Sequence, residues 1–337
     1  MAVKCASGLH AADILQEMET LRLCRHRNVL PLLGYCDDAR APCMITPLMR
    51  GGSLDDRLLL SCGALERLRR LGFEADACLD WKRRLSALCD AARGLAHLHG
   101  ERILHRDVKT ANILLEGALR PLPMAHGPPL LVYRAVLSDV GLAKVREPTL
   151  GGNTTHATTR NLAFSMGFGD PALLNSSQHS ERTDAFGIGI CILMSLVSEP
   201  AAGLVTDRED DVCDAMEDGT GALCGTAHAA AGWPSATTRA LAAVVHGLSI
   251  ASKRNRKPLS EALVQMVALL GAVGEAAGGE QAMAQPVACV APTVSRPLVS
   301  RRVDAARARG RAGRSCCGFG TVGGVVRRRA DAHGATA

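Results

Sequence analysis

His105-Arg106-Asp107-Val108-Lys109-Thr110-Ala111-Asn112-Ile113-Leu114-Leu115 places a carboxylate, an ammonium and a carboxamide within six residues and then enters an apolar strand. That grouping suits phosphoryl transfer. A carboxylate there can accept the proton of an attacking hydroxyl, a lysine can neutralise charge on the moving group, and an amide oxygen can ligate Mg²⁺. The stretch decides the fold only if other segments fall in a matching order around it.

They do. Upstream lie Met1-Ala2-Val3-Lys4, a strand ending in a lysine, and Ile14-Leu15-Gln16-Glu17 on a helical pattern. Downstream come Ser138-Asp139-Val140-Gly141-Leu142-Ala143-Lys144, then Gly167-Phe168-Gly169-Asp170-Pro171-Ala172, then Thr183-Asp184-Ala185-Phe186-Gly187. The central stretch resembles the catalytic loop of the eukaryotic protein kinases, H-R-D-x-K-x-x-N, and the flanking segments resemble that family's other motifs in order. His26-Arg27-Asn28-Val29-Leu30-Pro31-Leu32-Leu33-Gly34-Tyr35 and Ala92-Arg93-Gly94-Leu95-Ala96-His97-Leu98-His99 are similar to the receptor-like and Pelle/interleukin-receptor-associated branch.

The resemblance implies an α+β, two-lobed fold with a truncated small β lobe and a mainly helical large lobe. It covers residues 1–270, with 1–49 as a partial N-lobe and 50–270 as the C-lobe. It implies ATP and Mg²⁺ as cofactors. By the same resemblance Asp107 is the base, Lys109 stabilises the γ-phosphoryl, Asn112 and Asp139 hold the metal, and Lys4, fixed by Glu17, binds the α/β-phosphates. Thr46 is the gatekeeper, and the backbone of Leu48 and Met49 meets adenine, Pro47 having no amide to give. Lys109, two residues past the base, points to serine/threonine rather than tyrosine acceptors. Ser165 stands where the family has a threonine that helps hold the loop and the acceptor side.

Composition agrees with a cytoplasmic enzyme and excludes other classes. The net charge of +6 is carried by the tail: ten of the 39 basic residues and four of the 33 acidic ones fall in 271–337, leaving 29 of each before it. The folded part is therefore neutral, and no specific nucleic-acid partner is expected. Thirteen cysteines show no Cys-x-x-Cys pair, so neither a disulfide framework nor a zinc site is suggested. Ala185 to Ser198 is uncharged but too short to span a bilayer, so no transmembrane segment is expected and the run reads as a buried helix. Residues 271–337, rich in Arg, Ala and Gly, are expected to be disordered.

Further elements follow from pattern. Val29–Tyr35 and Cys43–Thr46 read as strands, Asp80 as the N-cap of a helix over Trp81–His99, and Thr237–Gly247 and Leu259–Leu270 as helices. Residues 55–79 hold a Leu-rich helix and an irregular segment. Pro121, Pro123, Gly127, Pro128 and Pro129, between Leu115 and Ser138, suggest an exposed insertion before the strand Leu130–Leu137. His97 and His99 read as surface residues at a helix end.

Several positions depart from the family pattern. Val140 replaces a phenylalanine, Phe164 stands where a small residue is usual, and Ala172 replaces a glutamate that pairs with a buried arginine. Lys257 occupies that arginine's place, so either Lys257 reaches solvent or Arg256 turns inward, and the large lobe is expected to be loosened. The G-x-G-x-x-G turn that precedes the lysine strand is expected upstream or is lacking. Two readings follow: phosphorylation of serine/threonine hydroxyls on a protein substrate, or a pseudokinase or fragment acting as a protein-interaction scaffold. The loop Thr149–Thr159, with Thr154, Thr155 and Thr158, is the expected site of modification by an upstream kinase or by self-phosphorylation, with Arg106 placed to bind the phosphate.

Overall fold

Ala2–Cys5 and Cys43–Thr46, each too short to stand alone, become strands by pairing with each other. The computed structural model describes residues 1–6, 11–72, 78–120, 130–145, 157–158, 165, 167–171, 173, 178–206, 229–249 and 254–276. Strand β1 (Ala2–Cys5) leads to helix α1 (Ala11–Leu23), then β2 (Gly34–Cys36) and β3 (Cys43–Thr46). The sheet order is β1-β3-β2, antiparallel throughout, with Lys4 opposite Met44 and Gly34 opposite Ile45. On α1, Ile14, Met18 and Leu21 recur at one-turn spacing and share a core with Met44. Glu17 falls on the same buried stripe.

The strand expected over Val29–Tyr35 is divided. Pro31 has no amide to give a ladder, and the two sides of it go to different lobes. Val29 forms a parallel bridge with Leu137, Leu30 N–H donating to Leu137 O at 2.9 Å and Leu137 N–H to Asn28 O at 2.8 Å. Only Gly34–Cys36 joins the small sheet. Gly94 on the facing helix has no room for a side chain, because a Cβ would run into the Asn28 carbonyl. This is where the chain crossing between lobes presses on the large one.

Ser53 opens α2 (Leu54–Leu59) with a capping box. Its hydroxyl accepts from Asp56 N–H at 3.1 Å while Asp56 Oδ2 accepts from Ser53 N–H at 3.2 Å. Next come α3 (Cys62–Arg70) and α4 (Trp81–Gly100), where Asp80 is the N-cap, its carboxylate accepting from Arg83 N–H at 2.8 Å. Strands β4 (Ile103–Leu104), β5 (Ile113–Arg120), β6 (Leu130–Leu137), β7 (Lys144–Val145), β8 (Ala157–Thr158) and β9 (Gln178–His179) follow. β5 and β6 pair from Ile113 opposite Leu137 to Arg120 opposite Leu130, so the arms of the expected insertion are a regular hairpin. Its tip, 121–129, lies outside the described residues.

The remaining elements are helices α5 (Glu181–Val197), α6 (Ala201–Thr206), α7 (Ser235–Ser249) and α8 (Leu259–Ala276). Every residue of α5 from Thr183 to Val197 is buried, as expected of a helix apolar on all sides. Arg84 ties α4 to it from a fully buried position, donating to Leu79 O (2.8 Å), Ser195 O (2.7 Å) and Ser198 Oγ (2.8 Å). Its charge thus sits at the negative end of the α5 dipole. Helix α8 runs six residues beyond the expected domain end at 270; residues 277–337 lie outside those described. Among the described residues no helix is long and apolar enough to cross a membrane.

Candidate active site

The loop after β4 is held from below by one carboxylate. Asp184, on the first turns of α5, accepts from Arg106 N–H through Oδ1 (2.8 Å) and from His105 N–H through Oδ2 (2.9 Å), and His99 Nε2 lies 2.9 Å from the same Oδ2. Burial would raise this carboxyl, but the hydrogen bond and charge of His99, with further help from His105 and the Arg106 amide, hold it below the ordinary aspartate range. His99 is thus a buried partner and not a surface residue. His97 is no free surface residue either: its ring stacks on His26 with centroids 4.8 Å apart. Sequence reading missed both because their partners lie on distant segments. An isolated acid at the head of an apolar run was the available signal, since a buried carboxylate demands donors.

His105 is fully buried and locks the loop's path. Its Nδ1 accepts from Asp107 N–H at 3.3 Å, which leaves Nε2–H to donate to Ser138 O at 3.1 Å. Arg106 takes a left-handed backbone, φ 71°, so the chain turns sharply just before Asp107. Thr110 Oγ1 donates to Asp55 Oδ1 at 2.7 Å, fastening the turn Thr110–Asn112 to α2. Burial raises the Asp55 carboxyl, with that hydrogen bond opposing.

Four polar side chains converge beyond the turn. Lys109 Nζ donates to Asp107 Oδ2 at 2.6 Å and to Ser165 Oγ at 2.8 Å, and Ser165 Oγ in turn donates to Asp107 Oδ1 at 3.0 Å. Asn112 Nδ2 donates to Asp107 O (2.8 Å) and Oδ2 (3.1 Å). With its amide nitrogen so used, Asn112 presents its oxygen as an acceptor. A cavity of about 20 Å³, room for one water, opens beside Asp107, Ser165, Phe168 and His179.

The third cluster joins the small sheet to the hairpin. Lys4 Nζ lies 2.7 Å from Glu17 Oε2 and 3.2 Å from Asp139 Oδ1. Burial alone would depress the Lys4 ammonium, yet the Asp139 and Glu17 carboxylates outweigh it and raise it. Burial pushes the Glu17 carboxyl up, Lys4 opposing, as expected where two carboxylates share one ammonium. Asp139 adopts φ 62° and ψ 62°, a left-handed turn that aims its half-exposed carboxylate at Lys4. Val140, fully buried in the main core, takes the place expected for an aromatic ring. Gln16 Nε2 donates to Ala143 O at 2.6 Å, which fastens α1 to this segment.

At the turn between lobes Thr46 is buried, Leu48 is half-exposed, and Met49 packs with Leu30 and Val136. Gly51 N–H donates to Leu115 O and Leu115 N–H to Gly52 O, each at 2.8 Å, so the turn is laced onto β5. A Cβ at Gly51 would lie 2.6 Å from that carbonyl, which excludes any other residue.

The expected loosening of the large lobe is corrected. Arg256 does turn inward, donating to Asp170 Oδ2 (2.5 Å) and Oδ1 (2.9 Å) with both side chains buried and its guanidinium 5.1 Å above the Phe186 ring. Lys257 reaches the surface and pairs with Glu261. The buried pair has moved two residues upstream on one partner and one on the other. Ala172, Phe164, Thr149, Thr154, Thr155 and Thr159 lie outside the described residues, and Thr158 is described only as part of β8.

A small sheet whose lysine pairs with a glutamate on the helix that follows it, a laced turn, and a helical lobe carrying Asp107 on one loop and Asp139 at the end of the hairpin define a protein-kinase fold. The protein tyrosine and serine/threonine kinase family profile matches residues 1–225, and the chain belongs to that family. It is 35% identical over 185 residues to the "Nodulation receptor kinase" of Pisum sativum, covering 54% of this chain and 17% of that one. It is 33% identical over 181 residues to "LRR receptor-like serine/threonine-protein kinase FEI 2" of Arabidopsis thaliana, covering 53% and 25%. It is 32% identical over 205 residues to "LRR receptor-like serine/threonine-protein kinase ERL1" of the same plant, covering 58% and 18%. The aligned regions span about a quarter or less of the length of these relatives.

Proposed function

We propose that the chain transfers the γ-phosphoryl group of ATP to serine or threonine hydroxyls of proteins. The observation that carries this reading is Lys109 Nζ bridging Asp107 Oδ2 and Ser165 Oγ. Asp107 accepts the proton of the incoming hydroxyl at Oδ1 or Oδ2, and Lys109 balances the charge that develops on the transferred group. Lys4, steered by Glu17, binds the α/β-phosphates. Backbone groups of Leu48 and Met49 hold adenine, with Thr46 behind it.

Asn112 and Asp139 fit a magnesium ion by chemistry: one amide oxygen left free by its own nitrogen's bonds, and one half-exposed carboxylate. Mg²⁺ is characteristically held by one or two such oxygens plus substrate phosphates. When bound, the ion neutralises phosphate charge. Among the described residues no group of three or more His, Cys, Asp or Glu could hold a metal alone, which fits a site completed by nucleotide.

The threonines of 149–159 remain the proposed sites for an upstream kinase or for self-phosphorylation, and a cytoplasmic setting is the one this chemistry needs. The test is a thermal-shift titration with ATP, with and without Mg²⁺, followed by phosphate transfer to a serine/threonine peptide library. A magnesium-dependent rise in Tm that Asp139→Asn loses, with transfer that Asp107→Asn abolishes, is expected. A well-folded chain that binds nucleotide but transfers nothing, with Asp107→Asn indistinguishable, would refute it.

A further inference from the structure

Three of the thirteen cysteines lie in one row across the small sheet. In register, Cys5 of β1 faces Cys43 of β3, and Cys43 faces Cys36 of β2 on its other side. All three are free thiols; Cys5 is exposed and the other two half-buried, so small solutes reach them. The two contacts are not equivalent. Ala6 N–H donates to Pro42 O at 3.1 Å, which makes Ala6 and Pro42 a hydrogen-bonding pair. Antiparallel ladders alternate, so the adjacent pair, Cys5 and Cys43, is of the narrow kind, with Cα atoms about 4.5 Å apart and side chains closest. That separation lies inside the range of about 4.4–6.8 Å a disulfide requires. Pro42 cannot return a hydrogen bond to Ala6, so this end of β1 is held by half the usual ladder.

We propose that Cys5 and Cys43 form a reversible, oxidant-driven disulfide that staples the lysine-bearing strand to the centre of the sheet. The Cys43 thiol donates to Ala41 O at 3.5 Å, and burial, with Cys5 beside it, pushes it up to about 12, so Cys43 keeps its proton and the exposed Cys5 reacts first. The Cys5 thiolate attacks one oxygen of hydrogen peroxide, breaking the O–O bond, and leaves a sulfenic acid and hydroxide, which takes up from solvent the proton that Cys5 gave up and becomes the first water. Cys43 sulfur then displaces the hydroxyl from Cys5 sulfur, its own proton leaving with that group as a second water. Two thiols supply two electrons, and the peroxide takes both. Cys36, on the far side of Cys43, is placed to exchange into the bond later, forming Cys36–Cys43 and releasing Cys5. Because successive side chains alternate faces, the row points away from the face that carries Lys4, and the bond forms without entering the Lys4–Glu17–Asp139 cluster.

The test uses the full chain, exposed to stoichiometric hydrogen peroxide, alkylated and digested without reductant. The expected product is a linked Cys5–Cys43 peptide pair, two hydrogens lighter than the thiols, with Cys36 alkylated and thiol reductant restoring the original masses. Cys36→Ser should leave the product unchanged. Cys5→Ser, at an exposed position that tolerates the change, should abolish it and leave Cys43 alkylated. Recovery of Cys5 as sulfinic or sulfonic acid beside an alkylated Cys43 would overturn the proposal. So would a first-formed bond joining Cys5 or Cys43 to any other cysteine.

Discussion

Replacing Arg256 with methionine takes the guanidinium from a carboxylate whose side chain has no exposed surface, Asp170, while Arg256 itself is 1% exposed. Breaking a buried pair by removing one partner costs about 3–5 kcal/mol, because the charge left behind has lost its solvation and its partner. Loss of the cation over the Phe186 ring adds about 1 kcal/mol. Arg256→Met should therefore destabilise by about 4 kcal/mol or more. Asp170→Asn should cost about 3 kcal/mol, since it strands the cation. The double variant, with neither charge to bury, should lose only about 1–2 kcal/mol, which leaves a coupling energy of about 5–6 kcal/mol between the two positions. Urea unfolding followed by fluorescence of Trp81 and Trp233, whose ring centroids are 6.1 Å apart, reports all four proteins. Additive losses, or an Arg256→Met variant within about 1 kcal/mol of the wild type, would show that the buried Arg256–Asp170 pair does not hold the large lobe together.

Lys4→Met should abolish the ATP-induced rise in Tm while leaving the large lobe's unfolding in place, as thermal shift with and without nucleotide will show. Asp184→Asn replaces two acceptor oxygens with one and turns an amide toward a backbone N–H, so phosphate transfer should fall by about 100-fold or more; a steady-state assay on folded protein measures it. The Asp184 carboxyl is held below its ordinary value of 3.8, so the stability it contributes is complete above that pH and is lost as pH falls through the lower, folded value. Acid unfolding of the wild type should accordingly steepen below about pH 4, and a curve flat there would contradict the assignment. Gly94→Val, which drives a side chain into the Asn28 carbonyl, should cost about 1–3 kcal/mol in the same urea experiment.

The parts legible in the sequence were those whose chemistry is local. His105 to Leu115 could be read because its acid, ammonium and amide serve one turn, and helix α4 because Asp80 caps it from the preceding position. The ion pair of Lys4 with Glu17 followed from a strand and a helix in direct succession. What escaped was decided by segments far apart in the chain. His99 looked exposed because Asp184 lies on another helix. Arg256 and Lys257 are neighbours of similar chemistry, and only packing against Phe186 and Asp170 decides which is buried. Pro31 stands inside the expected strand Val29–Tyr35, yet nothing nearby in the sequence says that the chain divides there and that its two sides serve different lobes. The cysteine row depends on a strand register that no cysteine spacing encodes.

One carboxylate, Asp184, carries the backbone of His105 and Arg106 on a helix buried at every residue from Thr183 to Val197. Local opening of a protein costs from almost nothing at its margins to the full unfolding free energy in its core. Hung from α5, the Asp107 backbone belongs to the expensive end of that range, although the side chain itself meets solvent. The small sheet, with a four-residue edge strand, belongs to the cheap end. The two halves of the site therefore differ in permanence: one half is set once, at folding, and the other is reassembled each time Lys4 finds Glu17 and Asp139.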